Sequence, residues 1–214
     1  MSAIWFIHCP RTGGTSIVHS IKKFKTVILI AKPHTPYTVE QHKSFENKYG
    51  KVKTLTVLRD PLKHSMSYYS YIRASSTHFG HKLAINNNFS NWLRKCPELP
   101  NYFVKFWSTW DNPDVLEALE KLRKIDYILD TADLTIQFRN VLAQNGEPNR
   151  ILPHVNSKKK YKISSEDADY VKKIRAKDYE LLKSLNIKFG TNNGILISQA
   201  HGNMIARFQI ISLR

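Results

Sequence analysis

Arg11-Thr12-Gly13-Gly14-Thr15-Ser16 puts a guanidinium, two glycines and three hydroxyls into one short stretch. Those residue types suit an anion. Glycine lets the backbone come close to a phosphate, Thr and Ser donate O–H groups, and Arg presents a charged fork. The apolar run Ile4-Trp5-Phe6-Ile7-His8 leads into the loop through Cys9-Pro10, and apolar residues resume at helical spacing with Ile17, Val18 and Ile21. A strand, a tight loop and a helix start are predicted, a junction whose N–H groups converge on one concavity. The nucleotide triphosphatase loop is excluded, because no Gly-Lys-Ser/Thr follows the glycines and the cation precedes them. The expectation is a phosphate cradle with no evident magnesium ligand.

A second basic position is Arg59, in Leu58-Arg59-Asp60-Pro61-Leu62, with Ser67 eight residues further on. Lys53 to Leu58 reads as a strand, Asp60 as a helix cap and Pro61 as the first helical residue. Arg11 and Arg59 thus each follow a strand directly. Ligands of open parallel sheets sit at the strands' carboxyl ends, so a two-phosphate ligand can bridge the two loops.

The elements that must position these residues alternate between strand and helix. Thr26 to Ala31 is a β-branched run of the buried parallel type, and the Pro-stiffened loop Lys32 to Tyr37 carries His34. Thr38 caps a polar helix to about Tyr49, and the helix after Asp60 carries an apolar stripe of Leu62, Met66 and Tyr69. The span from about Ala74 to Pro100 is polar and turn-rich, suited to a lid or acceptor loop. Helices are expected over Asn101 to Trp110, with Trp107 and Trp110 in the core. A further helix is expected over Pro113 to Lys124, capped by Asn112, with Leu116, Leu119 and Leu122 inward. Asp126 to Asp130 is a fourth strand, Leu134 to Gln144 a helix closed by Asn145-Gly146, and Arg150 to Lys162 a basic loop. One long helix runs from Ser164 or Ser165 to about Leu185, and Ala206 to Leu213 has the alternation of an edge strand. The whole implies an α/β fold built on a parallel sheet with flanking helices. Residues 1–189 form one domain and 190–214 an extension of different character.

The chain of 214 residues is 42% hydrophobic, enough for a core. With 33 Lys+Arg against 17 Asp+Glu, its net charge of +16 attracts polyanions without choosing among nucleic acid, acidic glycan, anionic membrane and nucleotide. Two cysteines, Cys9 and Cys96, make neither a disulfide framework nor a metal set. No apolar run reaches the ~20 residues of a membrane span. The expectation is a soluble, cytoplasmic protein without a metal.

Read together, the two basic motifs resemble those of sulfotransferases that use 3′-phosphoadenosine-5′-phosphosulfate. The first is similar to their PKTGGTS loop around the 5′-phosphosulfate, and the second to their RDP…S segment on the 3′-phosphate. Carbohydrate sulfotransferases of the heparan 2-O and 6-O type, with their bacterial and viral relatives, are the nearest in pattern. The resemblance implies a three-layer, P-loop nucleotide-kinase-like sulfotransferase fold, this sulfonucleotide as donor and 3′-phosphoadenosine-5′-phosphate as product, and a hydroxyl acceptor on a glycan. Arg11, Thr12, Gly13, Gly14, Thr15 and Ser16 would hold the 5′ end, and Arg59 and Ser67 the 3′-phosphate. Asn156 and Lys158, in Pro153 to Lys159, match a late basic segment that closes over the nucleotide, and Asp178 matches an aspartate of the final helix.

Arg11 stands where the family has lysine. Arginine stays protonated and cannot act as an acid, but it can hold the leaving phosphate by charge. His34 is the candidate base, since relatives carry a histidine in a similar context between the motifs. His42 and Glu40 are runners-up, His154 a possible cleft residue, and His8 a structural strand residue. Three rival readings remain: a magnesium-dependent small-molecule kinase, a polyanion or nucleic-acid binder, and an inactive protein of sulfotransferase fold.

Overall fold

Four parallel strands form the sheet: β1 (Ser2–His8), β2 (Val27–Pro33), β3 (Val52–Leu58) and β4 (Tyr127–Asp130), in the order β2-β1-β3-β4. The computed structural model describes residues 2–20, 27–147 and 163–187. The basic loop 150–162 with Asn156 and Lys158, and the terminal run 190–214 with its expected edge strand, lie outside the described residues. The helices in chain order are α1 (Gly14–Ser20), α2 (Val39–Tyr49), α3 (Pro61–Ala74), α4 (His81–Ile85), α5 (Phe89–Lys95), α6 (Tyr102–Trp107), α7 (Val115–Arg123), α8 (Leu134–Gln144), α9 (Ser165–Ile174) and α10 (Ala176–Ser184). Among the described residues, no helix is long and apolar enough to cross a membrane.

The contacts divide the chain into two units, a sheet unit reaching to Arg59 and resuming over 119–147, and a helical unit of 60–118 and 163–186. In the sheet unit, alternation along β1 builds three layers. Ile4 and Phe6 join Ile17 of α1 and Phe138, Val141 and Leu142 of α8 in one buried cluster. Trp5 points the other way, its ring 5.5 Å from Tyr37 and 5.2 Å from Phe45 of α2. Thr38 caps α2 as expected, accepting from the Gln41 N–H at 3.1 Å.

In the helical unit, Asp60 accepts from the Lys63 N–H at 2.8 Å, and Pro61 opens α3. The buried stripe of α3 is His64, Ser65, Tyr68, Tyr69 and Ile72, while Leu62 and Met66 stay half-buried. The span read as a polar lid holds α4 and α5. Phe89, Trp92 and Leu93 recur at helical spacing and are buried, as is Leu99 beyond the helix, each worth roughly 1.5–3 kcal/mol, which outweighs the polar residues between them. Cys96 is buried with them.

Four further expectations need correction. The cap of α7 is Asp114, which accepts from the Leu116 and Glu117 N–H groups, and Leu116 is 71% exposed rather than inward. Trp107 is core, but Trp110 is half exposed. The long final helix is two, α9 and α10. At the break, the Asn101 N–H donates to the Ile174 carbonyl and the Asn101 side chain accepts from the Lys177 N–H, so a neighbour's amide satisfies the interrupted turn.

Candidate active site

The chain leaves β1 for β2 on one side and returns to β3 on the other, which makes the carboxyl end of β1 a topological switch point. The register sets what meets there. His8 pairs with Pro33, so His34 is the first residue beyond the neighbouring strand; Leu58 pairs with Asp130, which places Arg59 beside Thr131.

The loop between β1 and α1 is shaped by two left-handed residues, Arg11 at φ 63° and Gly13 at φ 89°. A Cβ on Gly13 would come within 2.7 Å of Leu134, where α8 begins, and one on Gly14 within 2.2 Å of the His8 ring. Gly13 is demanded by its left-handed backbone, and Gly14 by the His8 ring packed against it. Thr12 is fully buried and donates its hydroxyl to the Cys9 carbonyl at 2.7 Å, which fixes the loop's shape. Thr15 and Ser16 are half-buried.

Arg59 ties the two basic motifs together. Its guanidinium donates to the Arg11 carbonyl at 3.0 Å, within the sheet unit and across 48 residues of sequence. The hydrogen bond holds the loop's left-handed turn.

His34 is exposed, with a left-handed backbone at φ 56°. Its ring lies 5.3 Å from that of His8, the planes tilted by 58°. Partial burial and the Arg11 charge hold the His34 imidazole below its ordinary pKa, so it is neutral at neutral pH, as a proton acceptor must be. His8 is pushed down further, to about 4, by burial first and then by His34 and Arg11. His8 belongs to this cluster, although a strand position suggests a purely structural side chain. The available signal was that it ends its strand, one step before the loop.

The other candidates fall elsewhere. His42 donates from Nε2 to the Val52 carbonyl at 2.9 Å and packs against Trp5 and Tyr37, a role inside the α2 layer. Glu40 is exposed on α2. Ser67 lies half-buried on α3 of the helical unit, and Asn156, Lys158 and His154 are outside the described residues. Asp178, matched from the final helix, is fully buried in the helical unit, accepting from the Val104 N–H at 2.9 Å and from Arg175 Nε at 2.6 Å. That is a structural position. Thr131 and Leu134, which wall Gly13, carry no local motif.

No protein-family model matches the sequence, and no curated protein matches it. Among solved structures, the sulfotransferase from Alicyclobacillus acidocaldarius superposes with a TM-score of 0.52 at 11% identity, covering 86% of this chain and 95% of that one. At that identity the likeness establishes the fold: an α/β parallel sheet with flanking helices, of sulfotransferase type.

Proposed function

We propose that this protein is a sulfotransferase that takes a sulfuryl group from 3′-phosphoadenosine-5′-phosphosulfate and places it on an acceptor hydroxyl, with a carbohydrate as the acceptor class. The observation that carries this reading is the hydrogen bond from Arg59 to the Arg11 carbonyl, which joins at one sheet edge two motifs that the sequence pairs only by resemblance. The fold supports it, and so does a neutral imidazole beside the loop.

The roles follow from the side chains. The loop Arg11 to Ser16 holds the 5′ end, its glycines leaving room for phosphate and its Arg11 fork meeting the charge that grows on the departing phosphate. Arg59 takes the 3′-phosphate, a contact to which the resemblance adds Ser67, Asn156 and Lys158. His34 removes the acceptor's proton and, being exposed, returns it to water. The donor supplies an activated sulfuryl group whose leaving group is already a stable anion, so no acid is needed, and arginine suffices where the family has lysine.

Calorimetry with 3′-phosphoadenosine-5′-phosphate tests the donor reading. Wild-type protein is expected to bind, and Arg59→Ala to lose about a hundredfold or more in affinity while keeping its circular dichroism, because a charge-assisted contact and the loop's tie go together. Absence of binding by the wild type overturns the reading. The net charge of +16 favours one rival, a polyanion binder, which would instead show oligonucleotide affinity falling steeply with salt and indifference to the nucleotide.

A further inference from the structure

His8 does not belong to the candidate machinery by motif, yet three features converge on its ring. It stacks on Phe6 at 5.3 Å, with planes 20° apart. Its Cδ2 and Nε2 edge lies against Gly14, so close that a Cβ there would stand 2.2 Å from both atoms. Its third neighbour is the His34 ring at 5.3 Å. Held by a strand, an aromatic face and the start of α1, His8 cannot turn away. His34 has no such frame, being exposed in a left-handed turn one residue beyond the strand. The framed ring thus lies beside the exposed one.

We infer that His8 is a positioning residue for His34, and that the two imidazoles work as a unit that carries one proton at a time. The inference rests on the sulfuryl-transfer reading for its purpose, not for its geometry. In the reaction, the acceptor oxygen forms its bond to sulfur and gives its proton to His34, while the bridging S–O bond breaks and its electron pair leaves on the nucleotide phosphate. His34 is then a cation with Arg11 near it. A second proton on His8 would add another charge at the same edge, so His8 stays neutral. It gives His34 a flat wall and no competing charge, and the His34 proton departs to solvent. The charged groups facing His8 are Arg11 from the loop and His34 from the β2–α2 turn, and both oppose its protonation.

The test is a proton NMR titration of the imidazole resonances of the full chain, with sulfate release from 3′-phosphoadenosine-5′-phosphosulfate, water serving as acceptor, as the kinetic readout. In the wild type, His34 is expected to titrate below 6.5 and His8 near about 4. His34→Asn should raise the His8 midpoint, because one of the charges that depress it is gone; an unchanged midpoint overturns the one-proton unit. His8→Ala should slow sulfate release by about tenfold to a hundredfold, the scale of a misplaced reacting group, and His8→Phe, which keeps the flat wall, should restore most of it. A His8→Ala rate equal to wild type, or a His8→Phe rate as low as that of His8→Ala, overturns the positioning role. Calorimetry of each variant with 3′-phosphoadenosine-5′-phosphate separates the two readings. If the wild type does not bind, the donor assignment fails, and the imidazole coupling is still decided by the titration.

Discussion

At the sheet edge, His8 and His34 meet partial burial and a nearby arginine by giving up their charge. In the helical unit, Arg175 is fully buried and keeps its charge. Its Nε donates to Asp178 at 2.6 Å, one terminal nitrogen reaches the Pro61 carbonyl at 2.8 Å and His64 Nδ1 at 2.9 Å, and its plane lies 4.5 Å from the Phe103 ring. Arginine cannot deprotonate, so burial forces it to take a counterion; histidine can, so burial near a cation neutralises it. Burial pushes the Asp178 carboxyl up, against the pull of Arg175 and the Val104 N–H. One region holds imidazoles that stay neutral, and the other has a charge pair that fastens α3, α6 and α10 together. Perturbed titration alone does not mark a site, since in the second region it belongs to architecture.

The sharpest way to break the comparison is Asp178→Ala. It leaves a buried guanidinium without its counterion and is expected to cost about 3–5 kcal/mol, a fall in Tm on the order of 10 °C by calorimetric melting. Replacing Arg175 and Asp178 together by apolar residues should recover much of that, which would show that the pair secures the packing and not a reaction.

Next in size is an acid limb of stability from His8. Its folded pKa of about 4 lies below the ordinary 6.5, so the unfolded chain binds the proton first as pH falls. The contribution is fully present above 6.5 and is lost as pH falls toward 4, by about 2–3 kcal/mol in all. Denaturant titrations at pH 7.5, 5.5 and 4 should show this slope in the wild type and a shallower one in His8→Phe. Equal slopes would mean that His8 is not held neutral.

The smallest effect is expected where the same kind of contact sits in water. Lys172 and Asp169 meet at 2.9 Å with both side chains about two-thirds exposed, and Lys172→Ala should move Tm by less than about 1 °C. A large shift there would show that distance, and not burial, sets the value of these pairs.

Much of the fold was legible because short-range rules applied. The apolar run before Pro10, the cap at Thr38, the Asp60-Pro61 start and the Asn145-Gly146 stop are each set by neighbours a few residues away, and the structure has those elements at those places. The departures have different physical causes. The helix Phe89–Lys95 has its apolar residues at local helical spacing, masked by the polar residues between them, whereas the final helix divides at Arg175 through a partner distant in sequence. Asn101 dividing α9 from α10 is the clearest example, since nothing near Arg175 signals a break.

For the site, the sequence by itself determined the residue types: a cation, glycines and hydroxyls after one strand, a second cation after another, and a histidine in a stiff loop. The tertiary structure decided how they combine. The parallel register sets His34 one step beyond the partner of His8. The β1–β3 crossover lets Arg59 reach the Arg11 carbonyl, and the start of α8 closes on Gly13. These are matters of strand order and register, which arise from burying two faces of one sheet at once and have no signature in any single stretch of the chain.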